Sequence, residues 1–154
     1  MAVRGSRPRD RAVQRGMPAA RLCLLLGLLA AACASVDPDP QVEDGYLFGY
    51  DSQPELNFIA VTSDTEVLAQ LAAQLALPLD ERAQHINGAI ERGDGGHNLD
   101  WKWHFLPGQW ALADLSIEVC DGTPDSLDAD LGYWVDNIGR FCPWGARVLE
   151  RLYD

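Results

Sequence analysis

The sequence predicts an α+β fold: a single domain in which an antiparallel sheet of about five to six strands carries two amphipathic helices packed on one face. Three observations lead there. Aromatic and β-branched runs alternate with period two at several places along the chain, the signature of half-buried strands. Two other stretches repeat their apolar residues with helical spacing. The length of 154 residues, with 47% hydrophobic and 23% charged residues, suits one domain with its own core.

The N-terminal third does not belong to that domain. Arg21 leads directly into the apolar run LCLLLGLLAAA of Leu22 to Ala32, followed by small residues, which is the layout of an export signal. The run is far short of the ~20 residues that a membrane-spanning helix needs. Two processing routes are open. LAAAC ending at Cys33 resembles a lipoprotein box, which would lipidate Cys33 and remove 1–32, and ACA before Ser35 satisfies the ordinary small-x-small rule; the first is favoured. The Arg-rich head before Arg21 is long for a signal, and a start at Met17 would give a normal one. Residues 33–44, acidic and proline-containing, then read as a solvated tether between the lipid and the domain at 45–154.

The expected location is therefore extracytoplasmic, a cell-envelope lipoprotein facing the periplasm or outer membrane, with plain secretion as the alternative. From Cys33 onward six basic residues stand against 22 acidic ones, a formal −16. Such a charge repels phosphate backbones, so nucleic acid is excluded as a partner. Cys23 leaves with the signal and Cys33 with the anchor, so Cys120 and Cys142 are expected to pair as one disulfide in an oxidising compartment.

Within the domain, GYLFGY (Gly45 to Tyr50) and LNFIAVT (Leu56 to Thr62), separated by DSQPE, read as a hairpin. SDTE puts Ser63 three residues before Glu66 as a capping box, and Val67, Leu68, Leu71 and Leu75 then form one helical face until Pro78. Three strands are expected next: HINGAIE from His85, WKWHF from Trp101 and LSIEVC from Leu115. A second helix starts after Thr123 with Pro124 at its first position. Its stripe is Leu127, Leu131, Trp134, Val135 and Ile138, and Gly139 ends it. The tail ARVLERL reads as a strand or a short helix, the strand favoured. Trp101, Trp103, Phe105, Leu115, Ile117 and Val119 would form the face that the helices cover. Trp110, after a Pro-Gly turn, is the candidate exposed aromatic.

The opposite face would then gather His85, Asn87 and Glu91 with Lys102, His104, Ser116 and Glu118. Two histidines and a carboxylate are the ingredients of a metal site or of acid–base catalysis, so His85, His104 and Glu118 are the ligand set if a divalent metal binds at all; no cofactor is otherwise expected. No HExxH, GxSxG or phosphate-loop string occurs. GDGGHN (Gly93 to Asn98) reads as a flexible loop. The four aspartates of DGTPDSLDAD lack the order of a calcium loop and suit the first turn of a helix.

The series HINGAI, NLDWKWHFLP, DLSIEVCDG and FCPWGARVLE resembles the N-terminal domain of a slime-mould calmodulin-binding protein, a family that includes small secreted bacterial and fungal proteins. The likeness runs from about Tyr46 to Leu152. It carries over to His85, Gly88, Asn98, Trp101, His104, Pro107, Asp114, Glu118, Cys120, Asp121, Cys142, Pro143, Trp144 and Arg147. The stretch between the second helix and Cys142 is shorter than in the family. The resemblance implies fold and export, with no established chemistry. Calmodulin is not expected as a partner, because it grips basic helices and this domain is acidic. The expected function is a non-catalytic binding or structural module, tethered to the membrane by its lipid and meeting a protein or envelope ligand. Its candidate polar face is His85, Asn98, His104, Glu118 and Asp121. The alternative is a metal-binding protein or hydrolase built on His85, His104 and Glu118.

Overall fold

The structure is a computed structural model and describes residues 43–153; the expected signal at 1–32, Cys33 and the tether up to residue 42 lie outside the described residues. Six strands are present, β1 (Asp44–Tyr50), β2 (Gln53–Thr62), β3 (His85–Arg92), β4 (Trp103–Ala113), β5 (Arg140–Phe141) and β6 (Arg147–Tyr153). They form two sheets of three, ordered β2-β1-β6 and β4-β3-β5, both antiparallel. The architecture is α+β, but the single five-to-six-stranded sheet with helices on one face is corrected to two facing sheets. The tail pairs with β1, its Val148 opposite Phe48.

The core lies between the sheets and is aromatic. Phe48 and Phe58 of one sheet meet Trp103, Phe105, Trp110 and Phe141 of the other, with ring centroids 5.2–6.2 Å apart throughout this cluster. Two sheets with large inward side chains bury each other without a helical layer, which leaves the helices short and peripheral. Helix α1 (Thr65–Leu75) inserts Val67 and Leu71 into the core margin. Its cap is Asp64, not Ser63: the Asp64 carboxylate accepts from the backbone N–H of Glu66 at 2.8 Å and of Val67 at 3.2 Å.

The expected second helix is broken. Helix α2 (Pro124–Ala129) stops where Asp130 takes φ −129° and ψ 51°, a single turn Leu131–Tyr133 follows, and Trp134–Ile138 forms a π turn. Gly139 ends it at φ 67°, as its position in the sequence predicts. Leu127 and Trp134 reach the core through these irregular turns, so the apolar stripe is kept although the regular helix is not.

LSIEVC is not a strand. Asp114 is a bend, residues 115–117 have no ladder partner, Glu118–Cys120 is a 3-10 turn, and Ser116 of this segment meets the outward side chains of His85 and Asn87 on β3. Its alternation is real but inverted. Ser116 turns toward the protein, while Leu115, Ile117 and Val119 face out with 89%, 67% and 55% of their surface exposed. A disulfide between Cys120 and Cys142, with a 2.8 Å bond from the Cys142 N–H to the Cys120 carbonyl, fastens the end of this loop beside β5.

Candidate functional site

The residues expected to share one titratable face separate into two groups. His85 stands opposite Ala113 and His104 opposite Glu91 along the β3–β4 pair. Six residues of strand divide them, roughly 20 Å at the usual rise. His104 therefore cannot join His85 and Glu118 around one ion, and the expected His85, His104, Glu118 set is corrected. Among the described residues no cluster of three or more His, Cys, Asp or Glu has metal-holding geometry.

His104 belongs to the glycine loop instead. Its Nδ1 lies 2.8 Å from the Gly93 carbonyl, and the His97 Nδ1 lies 3.0 Å from the Gly95 carbonyl. The two rings meet edge to face at 5.6 Å. Gly95 has φ 62°, and a Cβ there would sit 2.6 Å from the His104 ring and 2.8 Å from His97, so only glycine closes this loop over both histidines.

Asn98 and the tryptophans hold the fold. β2 is an edge strand, and its outward backbone groups at Asn57, Ile59 and Val61 recur on alternate residues. Trp101 Nε1 donates to the Asn57 carbonyl at 2.8 Å, Asn98 Oδ1 accepts from the Ile59 N–H at 2.8 Å, and Trp110 Nε1 donates to the Val61 carbonyl at 2.9 Å. These three side chains stand where a further strand would, and they satisfy an edge that would otherwise invite pairing with another chain. Trp110 is 5% exposed, so its role as the exposed aromatic is corrected. The cause is local: Gly88 pairs with Trp110 while Ile90 pairs with Phe105, so Leu106 to Gln109 bulge out of one continuous strand and return Trp110 to the inner face. The exposed tryptophan is Trp144.

Asn98 also donates from Nδ2 to the Trp103 carbonyl at 2.9 Å, which ties β2 to β4. Asn98→Ala strands the Ile59 N–H and the Trp103 carbonyl and is expected to cost about 2 kcal/mol, measured by denaturant unfolding; a loss under about 0.5 kcal/mol would show that water replaces both bonds.

The remaining residues converge at the Ser116 end. Ser116 Oγ lies 2.7 Å from the His85 Nε2 and accepts from Asn87 Nδ2 at 2.6 Å, and Arg140 donates to Asn87 Oδ1 from Nη2 at 2.8 Å. Because the guanidinium fixes the Asn87 oxygen, its amide nitrogen must face Ser116. His85, Asp114, Leu115, Ser116, Trp144 and Arg147 line a cleft of about 160 Å³ here. Asp121 supports it from below: one carboxylate oxygen accepts from the backbone N–H of Trp144 and of Gly122, both at 2.9 Å. Tyr50 donates its hydroxyl to the Gly122 carbonyl, and burial, with Asp121 and Asp125 nearby, pushes its pKa up so that it stays protonated. Glu118 is exposed on the loop.

Burial lowers the His85 pKa, Arg147 lowers it further, and Asp121 and Asp114 oppose the shift. His97 is lowered likewise, first by burial and then by His104. The ordinary histidine value near 6.5 describes the unfolded chain, so below about pH 6.5 the unfolded state takes up protons that these two histidines refuse in the fold. Stability is therefore present in full above that pH and falls below it. The melting temperature is expected to drop between pH 7 and 5, and less in His97→Gln; equal slopes in the two proteins would contradict the assignment for His97.

The Ser116–His85 contact differs from an acyl-transfer dyad in two respects. The hydroxyl is already engaged by Asn87, and among the described residues no carboxylate hydrogen-bonds the His85 ring. Fold and site together define a small two-sheet α+β domain in which a disulfide-fastened loop presents apolar side chains beside a polar cleft. Residues 45–153 match the BP-74 N-terminal domain family, and the chain belongs to it. Comparisons with curated proteins and with solved structures give no match.

Proposed function

We propose that the chain is an exported, lipid-anchored binding module whose recognition surface is the Asp114–Asp121 loop with Trp144 and the cleft between them. The observation that carries this reading is the exposure of Leu115, Ile117 and Val119 on a segment fixed by a disulfide. A flexible loop would bury such side chains by collapse, and a purely structural one would select polar residues there. Contiguous exposed apolar side chains, rimmed by polar groups, mark a contact surface, and the fixed backbone lowers the entropy cost of binding. The export signal, Cys33 and the acidic tether supply the location: the module works at the cell envelope, facing a protein or other envelope ligand.

The test is photo-cross-linking of the full chain in cells that export it, with the reactive residue at position 117 and, as a comparison, at the exposed Leu99 outside this surface. A discrete adduct from position 117 that disappears in Val119→Asp and never forms from position 99 is the expected result. Adducts of equal yield from both positions, or none from 117, would overturn the reading.

A further inference from the structure

Asp114 and Arg147 line the same small cleft, yet they form no ion pair with each other or with any other described residue. Arg147 is held in place by its own neighbours: Nη1 donates to the Trp144 carbonyl at 2.6 Å and to the Ala146 carbonyl at 2.9 Å. That leaves its Nε and Nη2 donors without a protein partner among the described residues. Asp114 is held from one side, where Gln84 Nε2 donates to Oδ1 at 3.2 Å, and its second oxygen has no such partner. Ser116 and buried His85 line the same cleft, and its wall is completed by Leu115 and the exposed Trp144.

An acid and a base fixed in one cleft without pairing are an electrostatic template for a ligand that carries both charges. We infer that the cleft binds a free α-amino acid with an apolar side chain, its carboxylate on the Nε and Nη2 donors of Arg147, its ammonium on Asp114, and its side chain against Leu115 and Trp144. Size and charge both select this class. About 160 Å³ lies below the roughly 300 Å³ at which pockets for larger ligands begin, so the cleft itself admits a small molecule and not a drug-sized one. The terminus of a peptide offers one charge of the pair and leaves the other unanswered, whereas an amino acid answers both. A planar guanidinium suits a carboxylate through paired donors, and the neutral imidazole of His85 adds no competing charge. This inference rests on the reading that the Asp114–Asp121 end is the recognition surface, and it names a small molecule that this surface holds.

The experiment is a titration of the full chain, followed by the Trp144 indole and the loop amides in heteronuclear NMR, with leucine, N-acetyl-leucine and leucinamide as probes. Leucine is expected to saturate the shifts at millimolar concentration, and the two singly charged analogues are expected to bind at least about tenfold more weakly. Asp114→Asn keeps the Gln84 hydrogen bond and removes the charge; it should weaken leucine about tenfold and leave N-acetyl-leucine unchanged. No shift with leucine up to about 10 mM, or equal affinity for either analogue, would overturn the assignment. The two proposals fail separately. A cross-link from position 117 with no leucine binding removes the amino acid alone, and saturable leucine binding without a cross-link removes the partner surface alone.

Discussion

Trp103→Ala is expected to lower the free energy of unfolding by about 4 kcal/mol, within the usual range for truncating a buried tryptophan. Trp103 is fully buried, and its ring lies 5.2 Å from Phe141, 5.6 Å from Phe58 and 5.7 Å from Phe105, so it touches strands of both sheets. The cavity left by the indole is bordered by these three aromatic rings. Trp103→Phe separates packing from polarity. The indole Nε1 is buried with no hydrogen-bond partner among the described residues, so phenylalanine removes an unsatisfied donor together with part of the volume. It should cost about 1–2 kcal/mol, well short of the alanine value. Chemical denaturation of the three proteins measures both differences, and equal losses for alanine and phenylalanine would show that the indole ring itself is not what fills the seam.

Removing the disulfide is the second large change. Cys120 and Cys142 are 22 residues apart in sequence, and a loop of that size constrains the unfolded chain by about 3 kcal/mol in the chain-entropy model. The bridge also closes over the irregular turns at 124–138, which have little regular hydrogen bonding of their own. Cys120→Ser with Cys142→Ser should therefore lower stability by about 3 kcal/mol and loosen the Asp114–Asp121 loop before the sheets. Hydrogen exchange in the oxidised and reduced protein distinguishes the two effects. Faster exchange confined to 114–123 and 134–142 is expected; uniformly faster exchange would place the bridge in the global core instead.

How much of this was legible in the sequence depended on the range of the interactions. Helix α1 was visible because period, cap and terminating Pro78 are all local, and even there the cap moved by one residue to Asp64. The disulfide followed from counting the cysteines left once the expected signal and lipidation site are set aside. The division into two sheets was hidden, because β1 pairs with β6 about a hundred residues later, and alternation in a strand says nothing about which strand it meets. Trp110 was misplaced because a Pro-Gly pair reads as a turn, while here it sits at the crest of a bulge inside one strand. The loop from Leu115 was misread for a related reason: alternation reports two faces, not which one turns inward, and the inward member was the half-buried Ser116. His85, Asn87 and Ser116 were rightly grouped on one face, but their cleft needs Trp144 and Arg147. Only the CPWGAR string pointed to those two, and it carries no spacing that joins them to His85.

The central claim is that Leu115, Ile117 and Val119 are present for recognition and not for folding, and thermal unfolding of Ile117→Ser with Val119→Ser tests it most directly. Exposed side chains contribute within about 0.5 kcal/mol each. A melting temperature within roughly 5 °C of the parent, together with loss of the adduct formed when the reactive residue is placed at position 115, is the result predicted here. A fall of more than about 10 °C would contradict it, because it would show that these side chains pack against the domain and stabilise it.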